Sequence, residues 1–324
     1  MKITLDYIAE KSGVSKTTVS YILNNKQTSM GISENTREKV KKVIEELNYF
    51  PDKTAVTLGR RNKRKMKILI LTPWLSDTNS QFMIEISRAA ENVKKIAETD
   101  YKMYIPGELA NLITDRKFSS YDYFMVIGTN KKDDDFLAKY QDKSKILLLN
   151  RKIEGFAYVS GNNFKGGELI AEYVLKSSYY EQYVIISNKK PSQAIEERQK
   201  GILEHFIKNN YRKPLLILID NWDEVTFLET ISIYRKSKTL FFTLQDANAV
   251  MLSSIFQKKG FKIPYDFGIT GYDNDPITAI LYPSITTVDS KNYEMAKEAF
   301  DRILNNKKEP SLINPELVIR DTTI

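Results

Sequence analysis

From Met66 onward the chain alternates short β-branched or apolar runs with helical stretches, and this restricts the fold more than any other feature. Strand candidates are 67–72, 101–105, 123–127, 145–149, 157–160, 183–187, 215–219, 239–243 and 268–272. Helical patterns fill the gaps at about 81–98, 164–178, 193–209, 223–236, 247–260 and 291–306. Strand–helix alternation predicts parallel sheets with helices on both faces. Nine strands is more than one compact open sheet of this length usually carries. Two similar doubly wound sub-domains with a cleft between them are therefore expected. In such sheets a ligand sits beyond the carboxyl ends of the strands.

The first sixty residues follow a different pattern. Thr4 can cap a short helix with Leu5, Ile8 and Ala9 on one face, and Gly13 can end it in the left-handed conformation. Ser15 can cap a second helix running to about Leu23, ended by Asn24-Asn25. The few residues between them match the turn of a helix-turn-helix. Ser33 caps a third helix, whose Val40, Val43, Ile44 and Leu47 form an amphipathic stripe. Residues 52–59, between Pro51 and Gly59, have room for one or two helical turns. So short a helix needs DNA, a dimer mate or both to hold it. Residues 60–65 read as a basic, solvated linker.

Charge separates the same two regions. The net charge is +8, and residues 1–65 hold 14 basic and 7 acidic side chains. The rest of the chain is nearly neutral. A basic terminal module on a neutral body is the footprint of nucleic-acid contact. A mere solvated tail would be poor in apolar residues, and this segment is not.

Several chemistries are excluded or unsupported. The absence of cysteine rules out disulfides, thiolate metal sites and cysteine nucleophiles, and fits a cytoplasmic protein. No apolar run reaches eighteen residues, so no membrane span is expected. The start lacks the apolar core of a secretory signal. The single histidine, His205, sits in an apolar-periodic stretch and reads as a helix-surface or packing residue. Residues 161–167 have the glycine spacing of a P-loop but lack its Lys and Ser/Thr, and read as a strand-to-helix turn. Residues 131–135 read as a charged loop. No nucleophile elbow or metalloprotease motif occurs, so no catalytic residue, metal or cofactor is expected.

The stretches 5–24, 32–37 and 44–51 resemble, in dense order, the headpiece of the lactose-repressor (LacI/GalR) family. Asn163-Phe164-Lys165-Gly166-Gly167, Arg198-Gln199-Lys200-Gly201, residues 269–274 and residues 282–288 extend the resemblance over essentially the whole chain. It implies an α/β fold: a three-helix helix-turn-helix headpiece, then a two-lobed core like the periplasmic binding proteins, built of two doubly wound parallel sheets. The implied divisions are a headpiece at 1–50, a hinge helix and linker at 51–65, a first core sub-domain of 66–160 with 290–309, and a second of 161–289 with 310–324.

The resemblance also implies sites. DNA contacts fall at Thr4, Ser15, Lys16, Thr17, Thr18, Ser20, Tyr21, Asn24, Ser33, Arg37 and Tyr49. The second helix enters the major groove. Tyr21 stands where the family commonly has arginine, and cannot make arginine's bidentate contact to guanine. Ala55 would allow close approach of two hinge helices or of the DNA, and Leu58 matches the leucine that wedges into the minor groove. Effector contacts fall at Phe82, Asn150, Arg198, Trp222, Gln245 and Asp273. Gln245-Asp246 replaces the family's usual Asn-Asp, and the segments around Pro73 and Ser80 also depart from its pattern. These departures leave the ligand open.

The implied function is a homodimeric regulator of transcription, expected to repress. It would bind a near-palindromic operator under the control of a small molecule, a sugar or sugar phosphate, held in the cleft. A solute-binding protein would share the two lobes but need an export signal and no headpiece. An α/β enzyme would need catalytic motifs. No heptad repeat at the C-terminal end suggests a tetramerising coil.

Overall fold

The computed structural model describes residues 5–23, 32–46, 65–73, 80–219 and 237–324. It divides into two compact units, 1–63 and 64–324.

In the first unit, α1 (Leu5–Ser12), α2 (Lys16–Leu23) and α3 (Glu34–Glu46) enclose a small core of Ile8, Ala9, Val19, Ile22 and Val40. Gly13 ends α1 at φ +66°. Its N–H bonds to the Glu10 carbonyl, and the Val14 N–H bonds to that of Ala9. Those two bonds are the Schellman pair that a left-handed residue after a helix makes possible. Ser15 and Ser33 cap α2 and α3, accepting from the N–H of Thr18 (3.1 Å) and Thr36 (3.3 Å). The expected hinge helix, with Ala55 and Leu58, lies outside the described residues.

The second unit carries two parallel sheets. In the first sheet, β1 (Met66–Thr72) pairs with β2 (Ala97–Met103) and β3 (Tyr123–Ile127), followed by β4 (Ile146–Leu149) and β5 (Ala157–Gly161). Its helices are α4 (Ser80–Val93), α5 (Leu109–Ile113) and α6 (Lys131–Lys139). Next come α7 (Asn163–Lys176), β6 (Gln182–Asn188), α8 (Gln193–Lys208), β7 (Leu215–Ile219), β8 (Thr239–Thr243), α9 (Asp246–Lys258) and β9 (Phe267–Thr270). These strands form the second sheet in the order β7-β6-β8-β9. The chain closes with α10 (Ile277–Ile280), β10 (Thr287–Asp289), α11 (Asn292–Asn305), β11 (Ser311–Ile313) and β12 (Glu316–Val318). The expected helix at 223–236 lies outside the described residues.

Three expectations need correction. Residues 310–324 do not all belong with the second sheet, because β11 pairs in parallel with β5 and forms the edge of the first. The chain then leaves the first sheet, and β12 pairs antiparallel with β10 in a separate two-stranded sheet. Residues 131–135 are not a loop. They open α6, where the Asn130 side chain accepts from the Asp133 N–H (3.0 Å) and the Asp133 carboxylate accepts back from the Asn130 N–H (3.3 Å). That reciprocal capping box nucleates a helix despite five consecutive charges. Finally, the strand expected at 101–105 begins at Ala97, so α4 stops at Val93 rather than near 98. β2 is an edge strand with mostly exposed side chains, so Glu98 and Asp100 cost it nothing.

The chain passes between the two sheets three times, after β5, after β10 and after β11. The crossings are tied together. The Asn162 N–H donates to the Ile313 carbonyl (2.8 Å), and Lys291 pairs with Asp289 (3.2 Å) and Glu316 (2.6 Å).

Helices α7 and α8 pack unusually closely. A Cβ on Gly167 would lie 2.1 Å from the Arg198 carbonyl oxygen, and one on Gly201 would lie 2.1 Å from that of Phe164. A Cβ on Gly166 would lie 1.9 Å from the Tyr272 hydroxyl. Gly166 and Gly167 thus serve close packing, against Tyr272 and against α8. They also set the depth of Arg198.

Candidate functional site

In the first unit, Val19 and Ile22 turn one face of α2 into the core, which leaves Lys16 and Thr17 on the outside. Ser20 and Tyr21 are half-buried, and both have partners within the chain. The first turn of α2 carries no acidic residue. Its positive helix end and Lys16 together favour an anionic group such as a phosphate. Arg37 is half-buried and only loosely paired with Glu34, at 3.9 Å. Ser15 and Ser33, expected to touch DNA, also hold the caps of their helices. Thr4, Asn24 and Tyr49 lie outside the described residues.

In the second unit, the carboxyl ends of both sheets face one cavity of about 320 Å³. Thr129 follows β3, and Asn150 and Arg151 follow β4. From the other sheet come Asn188 at the end of β6, Gln245 after β8, and Asp273 with Asp275 after β9. The first turn of α8, from Gln193 to Arg198, forms one wall, and Phe82 of α4 supplies a ring. Of the six residues expected to hold an effector, Phe82, Asn150, Arg198, Gln245 and Asp273 meet here. Trp222 lies outside the described residues.

Arg198 organises the floor. Its Nε donates to Asn163 Oδ1 (3.0 Å) and its Nη1 to the Leu244 carbonyl (2.7 Å). Nη1 and Nη2 both reach the Asp273 carboxylate, at 3.3 and 2.8 Å. Its guanidinium lies over the Tyr272 ring, 3.7 Å from the centroid. These contacts engage four of its five N–H donors. Asp273 (φ +113°) and Asn274 (φ +57°) both have left-handed backbone, so the turn is bent back toward the cavity. Burial raises the Asp273 carboxyl above the usual range, opposed by Arg198. Burial, then the neighbouring Asp273, pushes Asp246 up to about 7 and Asp275 up to about 6.

Asn150 is also left-handed (φ +56°), which turns it out of β4. Two residues on, Lys152 links this strand end to α8: it pairs with Glu197 at 2.6 Å, and its backbone exchanges two hydrogen bonds with the Gln193 side chain. On the first-sheet side Arg151 pairs with Asp134, which also accepts from Thr129. Sequence reasoning did not single out Thr129, Asn188, Lys190, Gln193, Asp275 or Asn292. All lie at or just past a strand end or in a helix's first turn, so proximity to a predicted strand end was the available signal.

Among the described residues no cluster of His, Asp or Glu has the spacing to hold a metal. No helix among them is long and apolar enough to cross a membrane. His205 lies twelve residues beyond Gln193, about 18 Å along α8 from the cavity wall.

Residues 4–52 match the model of the bacterial regulatory proteins of the lacI family, and residues 175–323 match a periplasmic binding protein-like domain. The chain belongs to the LacI family. It is a DNA-binding transcriptional regulator with a ligand-binding core. Among LacI-family relatives, it is 24% identical to the HTH-type transcriptional repressor PurR of Vibrio vulnificus (strain CMCP6), over 98% of each chain. Its fold matches the lac repressor dimer bound to operator and the anti-inducer ONPF, with a TM-score of 0.67 and 21% identity over the full length of both. It also matches the CelR–cellobiose complex, with a TM-score of 0.66 and 20% identity over 99% of this chain and 100% of that one.

Proposed function

We propose that this LacI-family regulator is a cytoplasmic homodimeric repressor of a near-palindromic operator, controlled by a sugar or sugar phosphate in the cleft. The observation that carries the effector reading is convergence. Five side chains, assigned from sequence stretches far apart, line one cavity at the carboxyl ends of both sheets. Arg198 and Asp273 place a donor beside an acceptor, the pattern that neighbouring sugar hydroxyls match. Asn150, Gln245 and Gln193 add further amides, and Phe82 offers an apolar surface for a ring face. Lys190 adds positive charge for a phosphate. CelR bound to cellobiose supports the class of ligand.

Within the headpiece, the outward face of α2, with Lys16, Thr17 and Tyr21, reads the operator. Ser15, Thr18, Ser20, Ser33 and Arg37 hold the phosphate backbone, and Ala55 and Leu58 reach the minor groove. The lac repressor dimer on its operator supports both the partner and the two-fold assembly. The first core sub-domain comprises 66–160 with 290–313, the second 161–289 with 314–324. The cleft holds its molecule without turning it over. A bound molecule joins the contacts that already link Lys152 to Gln193 and Glu197, and so biases how far the sub-domains close. Control of DNA affinity is then a coupling free energy between two sites.

Thermal shift with D-ribose, cellobiose and glucose 6-phosphate tests the effector reading. One of these should raise the Tm by mass action, and Arg198→Ala should abolish the rise. A rise that survives Arg198→Ala would remove Arg198 from the site.

A further inference from the structure

Behind the cleft lies a carboxylate that does not itself line the cavity yet ties its wall together. Asp246, at the start of α9, is 1% exposed. Its Oδ2 accepts from the Asp275 N–H at 2.7 Å, and its Oδ1 accepts from the Thr287 hydroxyl at 2.6 Å. Its own N–H donates to the Tyr272 carbonyl at 2.8 Å. Two of these three bonds bracket the 272–275 turn at its two ends, and the third ties Asp246 to Thr287. That turn is the strained one, with Asp273 and Asn274 at positive φ. A non-glycine backbone of this kind persists only where its surroundings over-determine it. Gly271 completes the fit, since a Cβ there would lie 2.0 Å from Asp246 Oδ1. Thr287, the other partner, sits in β10, which leads directly into a crossing toward the first sheet.

We propose that Asp246 is a positioning residue for the effector site: it holds the 272–275 turn so that Asp273 and Asp275 present their carboxylates to a bound molecule. The role of that molecule rests on the effector reading above. The fixing of the turn does not. Asp246 also joins the turn to β10, so ordering of the turn is felt where the chain crosses between the sheets.

Hydrogen exchange of the full chain followed by mass spectrometry tests the positioning without any ligand. Asp246→Ala should speed exchange in peptides covering 271–276 at least tenfold, while peptides from β6 and β8 stay within twofold of the parent. Asp246→Asn should restore slow exchange. Its carbonyl can accept from the Asp275 N–H, and its amide can donate to Thr287 Oγ1. Thr287→Val, which removes one anchor and leaves the other, should fall between the two. Unchanged exchange at 271–276 in Asp246→Ala would overturn the proposal. So would an Asn variant that behaves like Ala, or a loss of protection spread evenly over the sheet. In a second arm, D-ribose, cellobiose and glucose 6-phosphate are titrated calorimetrically. Whichever binds the parent should bind Asp246→Ala at least tenfold more weakly and Asp246→Asn within threefold. Equal binding to all three proteins would overturn the link to the effector site. If none of the three binds the parent, the sugar reading fails and the exchange result alone decides the role of Asp246.

Discussion

At the scale of single residues, charge and burial give Asp246 a measurable signature. Its ordinary value would be 3.8, and burial with Asp273 and Asp275 close by moves it to about 7 in the folded chain, with Arg198 beside them as the local cation. The folded state thus holds this proton more tightly than the unfolded state does. The group's contribution to stability is full below about pH 4 and drains away as pH rises to 7. Asp275, raised to about 6, acts in the same direction. Asp246→Asn should therefore flatten the fall in Tm between pH 5 and 7.5 without abolishing it, with the largest gain over the parent at the upper end. A tenfold difference in proton affinity between the folded and unfolded states is worth about 1.4 kcal/mol, so the gain is on the order of a few kcal/mol. Parallel melting curves for the two proteins would contradict the assignment. The residues of the cleft differ in legibility. Arg198 and Asp273 could be named because they stand in stretches that resemble the family. Asp246 stood in the sequence only as half of a departure, Gln245-Asp246, since its importance comes from partners 29 and 41 residues away.

At the scale of elements, packing explains what periodicity could not. The stripe of apolar residues predicted α7 and α8 to within two residues, but not their close approach. That approach depends on Gly167 and Gly201 each meeting a backbone carbonyl of the other helix. Gly201→Ala forces a Cβ to within 2.1 Å of the Phe164 oxygen. Overpacking of this kind costs about 1–3 kcal/mol or more, so the Tm should drop by roughly 2–4 °C per kcal/mol for a unit of this size. It should also weaken effector binding, because α8 carries Arg198. A melting curve like the parent's would show that the helices can separate freely. Elements misread from sequence share one cause: their stability is set by a cap or an edge rather than by an apolar pattern. Asn130 and Asp133 cap α6 reciprocally. β2 lies at a sheet edge. β11 has three residues, and its pairing with β5, some 150 positions earlier, leaves no local trace.

At the scale of the whole molecule, the alternation of strands and helices predicted two doubly wound sheets. The rule that ligands sit at carboxyl ends placed the cleft before any side chain was located. The division of charge pointed to the first sixty residues as the nucleic-acid module, and the family match bears that out. Operator sequence was not legible, because base readout in general depends on a few side chains and on how readily the duplex deforms.

The measurement that tests the central claim most directly is selection of DNA from a random pool by the full chain, followed by binding titrations on the selected sequence. The regulator should enrich one inverted-repeat site, bind it less tightly as salt rises, and lose that binding when residues 1–63 are removed. A shortened chain that binds the same site with equal affinity, or a selected pool with no shared sequence, would contradict it.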